Sequence, residues 1–187
     1  MSNARANILA DFSAWTALSA LRSGAPIKAR SDVYRLLRGV PFETLFDADR
    51  GPIDLTEFDA WHQWAVEELR RLEPLLNVGW AAKLINVYLK TRAYVGREGR
   101  INLSGQLHPP IDRGLWDGLR RRFGLGSEVT KRTHCVMRIK DIDQKCYHEI
   151  IAGCRLAAVA LGCQLIEVEQ LWTGTEFPAA TKKTARA

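Results

Sequence analysis

At 187 residues the chain is long enough for one domain with a substantial hydrophobic core. Apolar residues make up 47% and charged residues 26%, a balance that excludes intrinsic disorder. The net charge of +6 is unevenly spread: positions 43–73 hold nine acidic residues against three basic, and positions 113–140 hold eight basic against two acidic. Such polarity suits a protein that turns one face to a polyanion, although a solvated charged helix face would read the same way.

No apolar run reaches the length of a membrane span. Ile8 to Leu21 is interrupted by Asp11, Ser13 and Thr16 with no cleavage pattern after it, so no signal peptide is expected. The expected location is the cytoplasm, with no membrane partner. Cys135, Cys146, Cys154 and Cys163 lie 11, 8 and 9 positions apart without a CxxC pair. That spacing predicts neither a structural metal nor an iron–sulfur cluster, and in a reducing compartment the four read as small buried residues. No cofactor is expected.

In chain order, Asp11 to Leu21 reads as a short helix, and Ser31-Asp32 caps another through Leu37. Gly39 to Pro52 is a connector. Asp54 with Glu57 forms a D-x-x-E start signal, and Phe58, Trp61, Ala65, Leu69 and Leu72 follow at helical spacing, so a helix is predicted over Leu55–Leu72. A second, almost wholly apolar helix runs from Trp80 to about Tyr94, which marks a buried central element. Gly96 to Pro110 reads as a polar loop. Asp112 opens a short helix that closes at Phe123-Gly124, and Gly124 to Thr133 reads as loop again. The last long helix spans about Asp141 to Leu161, with Tyr147, Ile150, Ile151, Cys154, Ala157, Ala158 and Leu161 on one face. Leu165 to Trp172 fits a strand or a helical turn equally. The fold class is all-α: a single helical domain over 1–178 with its central motif at 55–125, and a flexible basic tail at 179–187.

The segment Leu75-Leu76-Asn77-Val78-Gly79 joins two helices. Asn77 tolerates a left-handed conformation and Gly79 permits close backbone approach. Free N–H groups there, with the positive end of the second helix dipole, can form a phosphate site, to which Lys83 adds a point charge. Any αα-hairpin can also carry Asn and Gly at its turn. Downstream, Pro110-Ile111-Asp112 opens a helix that ends Arg122-Phe123-Gly124-Leu125.

This order resembles the helix-hairpin-helix DNA glycosylase superfamily, in which an L-P-G-h-G hairpin is followed by a P-V-D segment and a helix ending R-L-G-L. The resemblance covers residues 75–125 and implies several roles. Asp112 is the catalytic carboxylate, placed to stabilise positive charge developing on the sugar and to orient or deprotonate a water. Asn77, Val78, Gly79, Trp80, Lys83, Arg113, Arg120, Arg121 and Arg122 grip duplex DNA, and the target base is flipped into a pocket. The family's bifunctional members carry a lysine two residues after the second hairpin glycine. Here that position is Ala81, and Lys83 falls on another helix face, which predicts a monofunctional enzyme using water. Gly79 and Asp112 are 33 positions apart, more than in the family, so 94–108 is read as an insertion.

Asp112 equally suits a plain helix N-cap, and the two roles are compatible. His108 is read either as a loop histidine or as a partner of Asp112. Trp80 and Trp116 can pack in the core, stack on a flipped base or wedge into the gap it leaves. Trp61 and Trp64 are expected in the core. The expected function is hydrolysis of the N-glycosidic bond of a damaged or modified base, serving repair or defence against phage DNA, by a monomer acting on double-stranded DNA. The alternatives are a non-catalytic helix-hairpin-helix nucleic-acid module and a helical protein-interaction domain.

Overall fold

Each main helix after the first two starts where a short polar side chain folds back on the backbone. Asp54, Asn77, Asp112, Ser127 and Asp143 each accept a hydrogen bond from the N–H three residues on, satisfying a donor that the first turn would leave unpaired. These caps open α4 (Leu55–Leu72), α5 (Val78–Leu89), α7 (Arg113–Phe123), α8 (Glu128–Thr133) and α9 (Gln144–Leu161). Before them come α1 (Ala4–Ala20), α2 (Arg30–Arg38) and the single turn α3 (Glu43–Phe46); α6 (Leu103–Gln106) is another single turn. The computed structural model describes residues 4–21 and 24–175, and among these no strand occurs. The fold is all-α. The basic tail expected at 179–187 lies outside the described residues.

Every residue of α5 is buried, so it is the axle of the fold, with α1 and α4 packed along it and α8 against α9. The predicted core face of α4 is met by Phe58, Ala65 and Leu69, all fully buried, while Trp61 packs at its edge. Removing a side chain as large as Phe58 from such a site costs about 3–5 kcal/mol. Trp64 was expected inside as well, but it faces solvent.

Several boundaries differ from the sequence expectation. The apolar helix expected to reach Tyr94 ends as an α-helix at Leu89 and continues as a π-helical turn, Lys90–Val95. The three expected loops contain structure: α3 and a 3-10 turn at Ala48–Arg50 in the first, α6 in the second and α8 in the third. Segments this short show no hydrophobic period. The 96–110 segment is held by Arg100, whose buried guanidinium donates to the carbonyls of Gly51 and Pro52 and to both carboxylate oxygens of Glu57. Leu165–Leu171 is 3-10 helix.

That 3-10 segment lies directly on α7 at Gly118, and Trp172, just after it, lies on Gly114. A methyl group at Gly118 would collide with the Leu171 carbonyl, and one at Gly114 with the Trp172 indole. Two of the cysteines are also not what their spacing suggested. Cys135 and Cys146 are joined as a disulfide across a Cα–Cα distance of 6.2 Å, closing the segment between α8 and α9. Cys154 is the buried thiol that was expected, its pKa pushed up to about 12 by burial, and Cys163 is half-buried.

Candidate functional site

Lys83 and Asp112 meet. The Lys83 Nζ lies 3.2 Å from the Asp112 Oδ2, with the lysine side chain 9% exposed and the aspartate 20%. The other carboxylate oxygen, Oδ1, accepts from the Leu115 N–H at 3.2 Å and from the Trp172 Nε1 at 2.9 Å. Asp112 is therefore both the N-cap of α7 and an ion-pair partner, and its carboxylate is held by three donors from α5, α7 and the chain after the 3-10 segment. The ammonium also sits 5.8 Å from the centre of the Trp80 ring, within cation–π range.

Two turns beyond Lys83, where α5 passes into the π-helical turn, the Lys90 Nζ is 2.6 Å from Glu169 Oε1. Burial pushes the Glu169 carboxyl up, and the charge and hydrogen bond of Lys90 oppose that shift. Both ion pairs, with Trp80, Trp172 and Arg113, line a cleft of about 520 Å³, and the C-terminal half of α1 supplies another wall through Thr16 and Ser19. A cavity of this size is in the range that encloses a small organic group.

The position of Asp112 is set from below. Asn86, on the turn of α5 after Lys83, donates from Nδ2 to the Pro109 carbonyl at 3.1 Å and to the Tyr147 hydroxyl at 3.1 Å. Its Oδ1 lies 2.7 Å from His62 Nε2. Tyr147 reaches His108 Nδ1 at 3.1 Å, His108 Nε2 reaches Asp59 Oδ1 at 3.0 Å, and Arg155 donates to both oxygens of Asp59. With both imidazoles neutral, one proton arrangement satisfies this whole chain. His62 donates to Asn86, Asn86 to Tyr147 and Pro109, Tyr147 to His108, and His108 to Asp59. Burial favours that arrangement: it drives the His62 pKa down to about 3, with the neighbouring His108 acting in the same direction, and it lowers His108 as well, against the pull of Asp59. Burial raises the Asp59 carboxyl, but His108 and Arg155 outweigh it and hold the group low.

The remaining expected site residues divide. Trp80 and Lys83 line the cleft with Asp112, so the start of α5 and the carboxylate share one face. The turn itself is not open. Asn77 has φ −87°, not a left-handed value, and its Nδ2 donates to the Ile139 carbonyl at 2.9 Å. Val78 and Gly79 are buried, and the close approach that Gly79 permits is taken by the Ile139 carbonyl of the same chain. Arg113, Arg120, Arg121 and Arg122 lie on the exposed side of α7. Asp117 pairs with Arg113 at 3.6 Å and Arg120 at 3.1 Å, and the Arg122 guanidinium lies 5.4 Å from the Phe123 ring centre.

Two expectations are corrected. His108 does not partner Asp112: it is buried in the Asp59–Tyr147 network, because the backbone of Leu107 to Ile111 runs through the core. Trp116 is neither wedge nor platform, being 2% exposed in the core. Lys90, Glu169 and Trp172 went unread. Lys90 could have been found, since it stands seven positions after Lys83 and so on the same face of an almost wholly apolar helix. Among the described residues no cluster of His, Cys, Asp and Glu could hold a metal, and no single helix is long and apolar enough to cross a membrane. Comparison with protein families, characterised proteins and solved structures found no match to this chain.

Proposed function

We propose that this chain is a DNA glycosylase that hydrolyses the N-glycosidic bond of a damaged or otherwise modified base, leaving an abasic site. The observation that carries the reading is the Lys83–Asp112 pair at the wall of a cleft large enough for a base. It supports the resemblance of residues 75–125 to helix-hairpin-helix glycosylases, because α4, the turn, α5 and the Asp112 cap follow one another in that order.

The chemistry follows from the site. Departure of the base builds positive charge on the sugar, and a carboxylate close to it stabilises that charge and orients a water for attack. Trp172, half-buried at the cleft, offers a ring to a base turned out of the duplex, while Trp80 is 6% exposed and packs in the cleft wall. With the hairpin turn covered by Ile139, the grip on phosphate falls first on Arg113, Arg120, Arg121 and Arg122. Duplex DNA is the partner, and repair or defence against phage DNA carrying modified bases is the setting.

A second route has a specific observation behind it. Lys83 was assigned to another helix face from the position of Ala81, yet its ammonium touches Asp112. A lysine that has passed a proton to that carboxylate can attack the anomeric carbon as the base departs, and opening of the sugar ring then gives an imine. Incubation with genomic DNAs of differing modification, with released bases identified by mass and abasic sites by alkaline strand cleavage, tests the main reading. Release by the wild type and its loss in Asp112→Asn, with binding kept, is the expected result. A borohydride-trapped adduct that disappears in Lys83→Ala assigns the lysine route, and base release without any adduct assigns water. Salt-sensitive DNA binding with no release from any substrate would leave a non-catalytic binding module.

A further inference from the structure

Helix α1 buries Ser13 and Ala17 against the molecule and turns three large apolar side chains outward. Ile8 is 70% exposed, Phe12 52% and Trp15 54%. Their spacing of four and three places them on one stripe. Phe12 and Trp15 are stacked, with ring centres 5.8 Å apart and planes 24° apart. Other apolar side chains are exposed elsewhere, but here three lie in a row with two rings stacked, the pattern of a contact site.

The stripe has a direction. Its next member is Ser19, which with Thr16 lines the cleft that holds Lys83 and Asp112. At 1.5 Å per residue, Ile8 to Ser19 extends about 16 Å, roughly the rise of five stacked bases. Arg113 lines the same cleft with Asp117, and the charged residues of α1 are Arg5 and Asp11, so the helix itself carries no net charge.

We infer that the Phe12–Trp15 face of α1 is a stacking platform for unpaired nucleobases next to the cleft. Drawing a base into the cleft leaves neighbours and an orphaned partner without stacking, and exposed aromatic rings replace it. Aromatic stacking on a base is worth about 5- to 150-fold in affinity per base and is indifferent to sequence. The platform rests on the reading of the cleft as a DNA site, but it does not need the cleft to be catalytic.

The test compares binding of the full chain to a duplex holding one tetrahydrofuran abasic analogue and to the same duplex fully paired. The wild type is expected to prefer the first. The double variant Phe12→Ala/Trp15→Ala should lose about 10- to 100-fold on the abasic duplex and less than about twofold on the paired one. Trp15→Phe should keep most of the preference, since it restores a ring. These side chains are outside the core, so circular dichroism and melting should be unchanged. An unaltered preference in the double variant, or equal losses on both duplexes, overturns the platform. So does a wild-type dimer that the double variant converts to monomer, which would assign the stripe to a second copy of the chain. A preference that the double variant loses, in a protein that releases no base, keeps the platform and removes the glycosylase reading. Base release with an unaltered preference does the reverse, and failure of the wild type to bind either duplex removes both.

Discussion

Asn86 and Pro109 are joined by one hydrogen bond, and through it the helix that carries Lys83 fixes the chain three residues ahead of Asp112. The same amide contacts Tyr147 and His62, so one side chain ties α5, α4, α9 and the Asp112 segment together.

Asn86→Ala is accordingly expected to destabilise the fold by more than a surface substitution would. It takes a partner from three buried polar groups; Tyr147 keeps His108 and His62 keeps the Tyr147 hydroxyl at 3.3 Å, so the Pro109 carbonyl is the group orphaned. Urea unfolding should show a loss of about 1–3 kcal/mol. A loss below about 0.5 kcal/mol, the range of surface changes, would mean that the amide does not hold this segment.

Stability should fall with acid. The folded-state pKa of His62 lies near 3, below its unfolded value of 6.5, and His108 is shifted the same way. The unfolded chain therefore binds more protons across that interval, so the stabilisation is complete above pH 6.5 and is lost progressively as pH falls toward 3. Each such proton contributes a slope of about 1.4 kcal/mol per pH unit. Calorimetric melting between pH 7 and 4 should show the midpoint dropping steeply, and His62→Gln should flatten the profile. A level profile for the wild type would contradict the neutral buried imidazoles.

Substitutions at Asp112 separate its two duties. Asparagine caps a helix as well as aspartate, so Asp112→Asn should keep α7 capped while abolishing base release, its stability cost coming from the Lys83 ammonium left without a carboxylate. Asp112→Ala should cost about 1 kcal/mol more, for the cap. If Asp112→Asn releases bases at the wild-type rate, the residue is a cap alone.

Reduction should weaken the protein. The Cys135–Cys146 bond closes a short loop, and cross-links of that span contribute about 3 kcal/mol. Unfolding with and without dithiothreitol measures it, with Cys135→Ser as a reference that should be insensitive to reductant. Identical midpoints for the wild type under both conditions would mean that the bond adds nothing.

What the sequence revealed was governed by range. The caps at Asp54 and Asp112 were legible because each bonds within three residues, whereas Asn77, read as a left-handed turn residue, is a cap of the same kind. The buried face of α9 was legible from its period. The Lys83–Asp112 contact was not, because α5 is covered all round and its own pattern does not say which neighbour supplies which face. Glu169 and Trp172 reach the cleft from a segment without a readable period, and His108 left the expected site because its backbone dives into the core. The cysteine spacing spoke only about metals, whereas the disulfide depends on how the chain returns between α8 and α9.

Gly114 makes room for the indole that donates to Asp112, and no other group on α7 shares that task so directly. The neighbourhood of the carboxylate thus depends on a side chain that is missing. Gly114→Ala would add one carbon, alter no charge and break no ion pair, yet it would displace Trp172 and leave Asp112 Oδ1 held by the Leu115 N–H without the indole. Ring and aspartate must therefore be inherited as a trio with that glycine: an alanine at 114 turns a roofed cleft into an unroofed one.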